Sequence, residues 1–142
     1  MKTFFTIGSS FLIFFFACTA KKNNIATNDC PPKACTMEFK SIGVIFQNQQ
    51  GDTLQVKDYA VVLKSTGEKL PSAADRIPGS SYYLVSSDGD KNILSEKGDT
   101  LLIKATNPET GKTRSSEMVV SGGRCECHIN KVSGEQTIVF ND

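Results

Sequence analysis

Residues 122–131 read GGRCECHINK, and they hold Cys125, Cys127 and His128, the single histidine of the chain. Two sulfurs and an imidazole this close together can bind a soft metal ion, exchange disulfides or serve as staples. Upstream, Cys30 and Cys35 add two more sulfurs. Cys30-x4-Cys35 with Cys125-x-Cys127-His128 supplies enough soft ligands for Zn²⁺ or Cu(I). A ligand pair one residue apart is, however, unlike the usual zinc spacing. Metal binding also needs thiolates, which an oxidising compartment removes. Thioredoxin-like exchange uses Cys-x-x-Cys at a helix start, whereas this motif has one intervening residue and lies in a predicted strand. On that strand Cys125 and Cys127 point to one face about 6.6 Å apart, close to the ~6.8 Å limit for a disulfide. Pairing them with each other is therefore poor. The two remaining connectivities both tie the start of the domain to its last hairpin, each closing a long loop. An even number of cysteines in an exported chain points to disulfides. The expected disulfide set is Cys30, Cys35, Cys125 and Cys127, with Cys125, Cys127 and His128 as the alternative metal set. His128 alternates away from Cys127 and reads as a solvated strand histidine.

Other chemistry is sparse. There is no Gly-x-Ser-x-Gly elbow and no phosphate-cradling glycine loop before a helix. Ser87-Asp88-Gly89-Asp90 reads as a hairpin turn, with weak calcium binding as the alternative. Tyr82-Tyr83 puts one ring on each strand face, one for the core and one for a surface. No catalytic residue and no cofactor is expected.

The N-terminus, MKTFFTIGSSFLIFFFACTAKK, joins a positive start to an apolar run, Phe11 to Ala17, and then small residues. This run is too short for a comfortable membrane span, which needs ~20 apolar residues, and describes a secretory signal. Phe15-Phe16-Ala17-Cys18 resembles a bacterial lipobox, in which Cys18 becomes the lipidated first residue. Cleavage after Ala20 and an uncleaved anchor are the other readings. The expected organisation is a signal peptide at 1–17, a lipidated polar tether at 18–34 and one β-domain at 35–142. Six of the nine phenylalanines lie in the leader, so Phe39, Phe46 and Phe140 remain for the core. The chain carries 16 Lys and Arg against 15 Asp and Glu. Loss of Lys2 with the leader balances them. This argues against nucleic acid, which calls for a basic surface.

From Thr36 onward, short apolar runs alternate with period two, the strand signature. They are Phe39 with Ile42, Val44 and Phe46, slipping phase at a bulge near Lys40-Ser41; Leu54 and Val56; Tyr59–Leu63; Tyr82–Val85; Ile93-Leu94; Leu101–Ala105; Glu117–Val120; Cys127–Val132; and Gln136–Phe140. Turn residues separate them, and a loose stretch runs from Leu70 to Ser80. Ala73-Ala74-Asp75-Arg76 could form one helical turn. Short strands with turn signals predict an all-β antiparallel sandwich, with a small OB-like barrel as runner-up.

Gly51-Asp52-Thr53-Leu54 followed by Tyr59-Ala60-Val61-Val62-Leu63 and Thr66-Gly67 resembles the opening of carboxypeptidase-regulatory-like and transthyretin-like domains. Ala34-Cys35-Thr36 with Phe39, and Cys127-His128 with Lys131-Val132-Ser133-Gly134, look like small lipoproteins of Bacteroidota-type bacteria. The resemblance implies an Ig-like or transthyretin-like envelope domain and no catalytic residues. Surface-exported lipoproteins of such bacteria often carry acidic residues after the lipidated cysteine. Thr19-Ala20-Lys21-Lys22 lacks them, so the expected location is the periplasmic face of the outer membrane. The expected function is a non-enzymatic envelope lipoprotein, held to the membrane by its lipid and binding or scaffolding an envelope partner. The alternative is a metal-handling (Cu/Zn) lipoprotein.

Overall fold

Alternation in the sequence becomes burial in the strands. In β1 (Ser41–Gln47) Ile42, Val44 and Phe46 are buried, and in β3 (Lys57–Leu63) Val61 and Leu63 are. β5 (Asp99–Thr106) buries Leu101, Ile103 and Ala105, and β6 (Thr113–Ser121) buries Met118 and Val120. The remaining strands are β2 (Thr53–Leu54), β4 (Tyr83–Ser87), β7 (Asn130–Ser133) and β8 (Thr137–Val139). The computed structural model describes residues 30–73 and 80–141. The proposed leader, Cys18 and residues 74–76 of the proposed helical turn lie outside the described residues. No helix among those described is long and apolar enough to cross a membrane.

One sheet has the order β2-β1-β4 with β8 also beside β1; the other has the order β3-β5-β6-β7. Their apolar faces meet in one core, so the chain is an all-β sandwich. Among the described residues all strand pairs are antiparallel except β1 and β8, which run parallel with Phe46 opposite Ile138. The parallel pair arises because the chain crosses between sheets after β7. A two-residue turn cannot join parallel neighbours, and a crossover can.

The registers define two ends. β1 ends at Gln47, beside β2, and β5 ends at Thr106, opposite Thr113. These mark the far end. Ser41 opposite Ser87, and Ser121 opposite Asn130, mark the near end. The few aromatics are concentrated toward the far end. The Phe46 ring lies edge-on to Tyr83 at 5.1 Å and to Tyr59 at 6.0 Å, and is tilted against Phe140 at 6.0 Å. The Tyr59 hydroxyl donates to the Leu84 carbonyl at 3.0 Å, and that of Tyr83 accepts from Val56 N–H at 2.8 Å. Burial first, then Tyr83, pushes the Tyr59 phenol well above its usual value. Such pairs add stability beyond area burial, and the cluster offsets the shortage of aromatics.

Several expectations are corrected. The first strand begins at Ser41, and Phe39 is exposed before it. The register slip lies at Ile42/Gly43 against β4, not at Lys40-Ser41. Gly43 explains the position. Tyr82 lies over it, with the Tyr82 hydroxyl accepting from Gly43 N–H at 3.1 Å, and any Cβ there would overlap that ring and the Tyr83 carbonyl. Tyr83 is the core ring of the pair. Ile93-Leu94 forms turn rather than strand, and the last-hairpin strand begins at Asn130, not Cys127. Cys125 and Cys127 therefore sit in a turn, and the strand geometry assumed for them does not apply.

Candidate functional site

At the near end, residues 30–40 lie along residues 125–130 in parallel order, joined by side chains. Cys30 is bonded to Cys125 and Cys35 to Cys127, with Cα separations of 5.2 and 5.3 Å. Between them, Lys33 Nζ meets Glu126 Oε2 at 2.6 Å. Next, Thr36 Oγ1 lies 2.9 Å from His128 Nε2, and Lys40 Nζ donates to Asn130 Oδ1 at 3.1 Å. Residues 30–34, assigned to the tether by sequence, are thus fastened to the sandwich.

The turn that receives this segment is itself wedged in place. Gly122 N–H donates to the Ser95 carbonyl and Gly123 N–H to the Lys91 carbonyl. A Cβ on Gly122 would collide with Lys91 and Leu94, and Gly123 has φ +112°, a conformation that favours glycine. Lys91 Nζ donates to the Glu126 carbonyl at 2.7 Å, fixing the turn from its other side. The Gly-Gly pair that precedes the cysteines is therefore what brings them under residues 30–36.

His128 is not a solvated strand residue. Its side chain is 16% exposed, and Nδ1 lies 2.7 Å from Asp88 Oδ2, itself 12% exposed. A carboxylate only accepts, so Nδ1 carries the proton. In the neutral ring Nε2 then accepts from the Thr36 hydroxyl. Asp88 is fixed further by Lys40 N–H at 2.8 Å and Ile129 N–H at 2.9 Å. Burial pushes the Asp88 carboxyl up. The hydrogen bonds from His128, Lys40 and Ile129, with the charge of His128, outweigh it and hold the carboxyl below its usual range.

Ser87-Asp88-Gly89-Asp90 is not a hairpin turn. Asp88–Asp90 forms one 3₁₀ turn, with Ser87 capping Gly89 N–H and the Asp90 carboxylate accepting from Ser87 N–H. The Ser-x-x-Asp spacing is a capping-box signature in the sequence. Asp90 is 1% exposed. It accepts from the Ser86 hydroxyl at 2.9 Å and from the hydroxyl and N–H of Ser72, which ties residues 70–73 to this end. The carboxylates suggested for calcium are thus committed to internal donors.

The structure brings Cys30, Cys35, Cys125, Cys127 and His128 together with Asp88, which the sequence had placed only in the Ser87–Asp90 turn, and adds Lys33, Thr36 and Glu126. As disulfides, Cys125 and Cys127 offer no thiolate, and no group of three or more His, Cys, Asp or Glu side chains among the described residues could hold a metal ion. Hydroxyl, imidazole and carboxylate stand in the order of a nucleophile, its base and the base's orienter, although Thr36 lies on an exposed segment. Sequence could not pair Asp88 with His128, because the contact joins residues 40 positions apart. The chain matches no known family model, no curated protein and no solved structure.

Proposed function

We propose that the chain is a non-enzymatic envelope lipoprotein: an Ig-like β-sandwich binding module, anchored through Cys18 and mounted on its anchor by the near-end disulfides. The observation that carries this reading is the side-chain fastening of residues 30–40 to residues 125–130. Disulfides persist in oxidising compartments, and these two join the segment next to the predicted lipid to the body of the fold. A pull on the anchor then enters the sandwich through Cys30 and Cys125 rather than by peeling β1 from its sheet. Two acyl signals or more are needed for firm anchoring, and lipidation of an N-terminal cysteine supplies them. The mount puts the attachment at the near end and leaves the far end free for a partner.

Fractionation tests the anchor. The wild-type chain is expected in the membrane fraction with an acylated Cys18, and Cys18→Ser in the soluble fraction. An unacylated wild type, or a Cys18→Ser chain retained on the membrane, contradicts the reading.

A second reading rests on Thr36, His128 and Asp88. On attack of Thr36 Oγ1 at an ester carbonyl, its proton would pass to His128 Nε2 while Asp88 steadies Nδ1–H; the ester C–O bond would then break, with the imidazole returning the proton to the departing alcohol. A fluorophosphonate probe distinguishes the two. Labelling of Thr36 that vanishes in His128→Ala supports acyl transfer, and an unlabelled Thr36 leaves these groups as part of the mount.

A further inference from the structure

At the far end, the β1–β2 and β5–β6 turns, one from each sheet, flank a cleft of about 190 Å³. Each turn is organised by an asparagine at its first position. Asn48 Oδ1 accepts from Gln50 N–H at 3.0 Å and Asp52 N–H at 2.8 Å. Asn107 Oδ1 accepts from Glu109 N–H at 2.9 Å. Backbone bonds close both turns, from Gly51 N–H to the Asn48 carbonyl and from Gly111 N–H to the Asn107 carbonyl. The backbones are therefore fixed before any ligand arrives, which lowers the ordering cost of binding.

Gln49, Gln50, Glu109 and Thr110 line the rim, and Leu54 and Phe140 contribute an apolar floor. The lining is dominated by amides and a hydroxyl, groups that both donate and accept. Among the described residues its one charge is the Glu109 carboxylate, and no cation lines the cleft. An anionic ligand would meet repulsion without a counter-charge. Drug-sized ligands occupy roughly 300–1,000 Å³, so this cleft takes a single ring. Neutral amides and a hydroxyl over an apolar floor suit a sugar ring, whose hydroxyl edge and C–H face need those two surfaces.

We propose that this cleft binds one ring of a neutral saccharide, either free or as the end of a chain. The proposal rests on the anchored-module reading and names its ligand class. The mount and the cleft lie at opposite ends of β1, so each can be broken separately.

The test is nuclear magnetic resonance titration of the full chain in detergent micelles. The probes are glucose, galactose, mannose and N-acetylglucosamine, each as the monosaccharide and as a β-linked tetramer. Saturable shifts confined to residues 48–54, 107–110 and 140 are expected for at least one sugar. Equal affinity for monomer and tetramer identifies a free sugar, and tighter tetramer binding identifies a chain end. Combined Gln50→Ala and Glu109→Ala should weaken binding at least tenfold, and Lys33→Ala should leave it unchanged. No shifts with any sugar at 50 mM, shifts elsewhere, or an affinity indifferent to the double variant would overturn the proposal. The anchored-module reading would stand in each case, because fractionation of Cys18→Ser reads it independently.

Discussion

The two ends of the sandwich are held by different materials. Near the far end the core is aromatic, with Phe46 touching Tyr59, Tyr83 and Phe140. Around the near end the buried residues are aliphatic, among them Ile42, Leu63, Leu94, Val120 and Ile129. There, two disulfides and the Asp88 and Asp90 networks supply what rings supply elsewhere. A packed cluster leaves the loops above it open to a ligand, whereas a cross-linked end commits its side chains to one another. The proposed reading assigns display to the far end and attachment to the near end.

Removing the covalent half of this comparison should have the largest effect. With either bridge intact the long loop stays closed, so losing one disulfide opens only a short ring, costing about 2–3 kcal/mol in the loop-entropy model. Losing both opens a loop of 95 or 92 residues, and the same model gives roughly 7 kcal/mol in all. Chemical denaturation of the Cys30→Ser with Cys125→Ser pair, the Cys35→Ser with Cys127→Ser pair and the fourfold variant should show this excess over additivity. Strict additivity would mean that the two bridges do not share one loop.

Truncating the centre of the aromatic end comes next. Phe46→Ala should cost about 3–5 kcal/mol, as for other buried aromatics. The destabilisation should be similar with the disulfides intact or reduced, because the ring touches neither bridge. A cost that collapses on reduction would couple the two ends and spoil the contrast.

The smallest effect concerns pH. The Asp88 carboxyl titrates lower in the folded chain than in the unfolded one, where it sits near 3.9. Its contribution is therefore complete above about pH 4 and is lost as pH falls through the folded value. Thermal melts from pH 6 to pH 2 should decline more steeply for the wild type than for Asp88→Asn. Parallel curves would remove Asp88 from the account of the near end.

Much of the sandwich was legible in the sequence, because β1, β3, β5 and β6 bury alternate residues and period two reports that directly. The near end was less legible. Cys127 and His128 looked like the start of a strand, since the run to Val132 alternates, but Gly122 and Gly123 bend the chain first. Ile93-Leu94 looked like a strand for its two apolar residues, and the capping box at Ser87 and Asp90 turns the chain there instead. The parallel placement of β8 and the contact of His128 with Asp88 depend on tertiary closeness, which no local pattern carries. The far cleft was invisible for the same reason, as its rim comes from turns on separate sheets.

The most direct test of the mount is a disulfide map of the unreduced protein after cleavage with trypsin and a glutamate-specific protease. Cutting at Lys33 separates Cys30 from Cys35, and cutting at Glu126 separates Cys125 from Cys127. Linked peptides joining Cys30 to Cys125 and Cys35 to Cys127 are expected. A bridge between Cys125 and Cys127, the crossed pairing, or free thiols at these positions would contradict the parallel docking on which the mount depends.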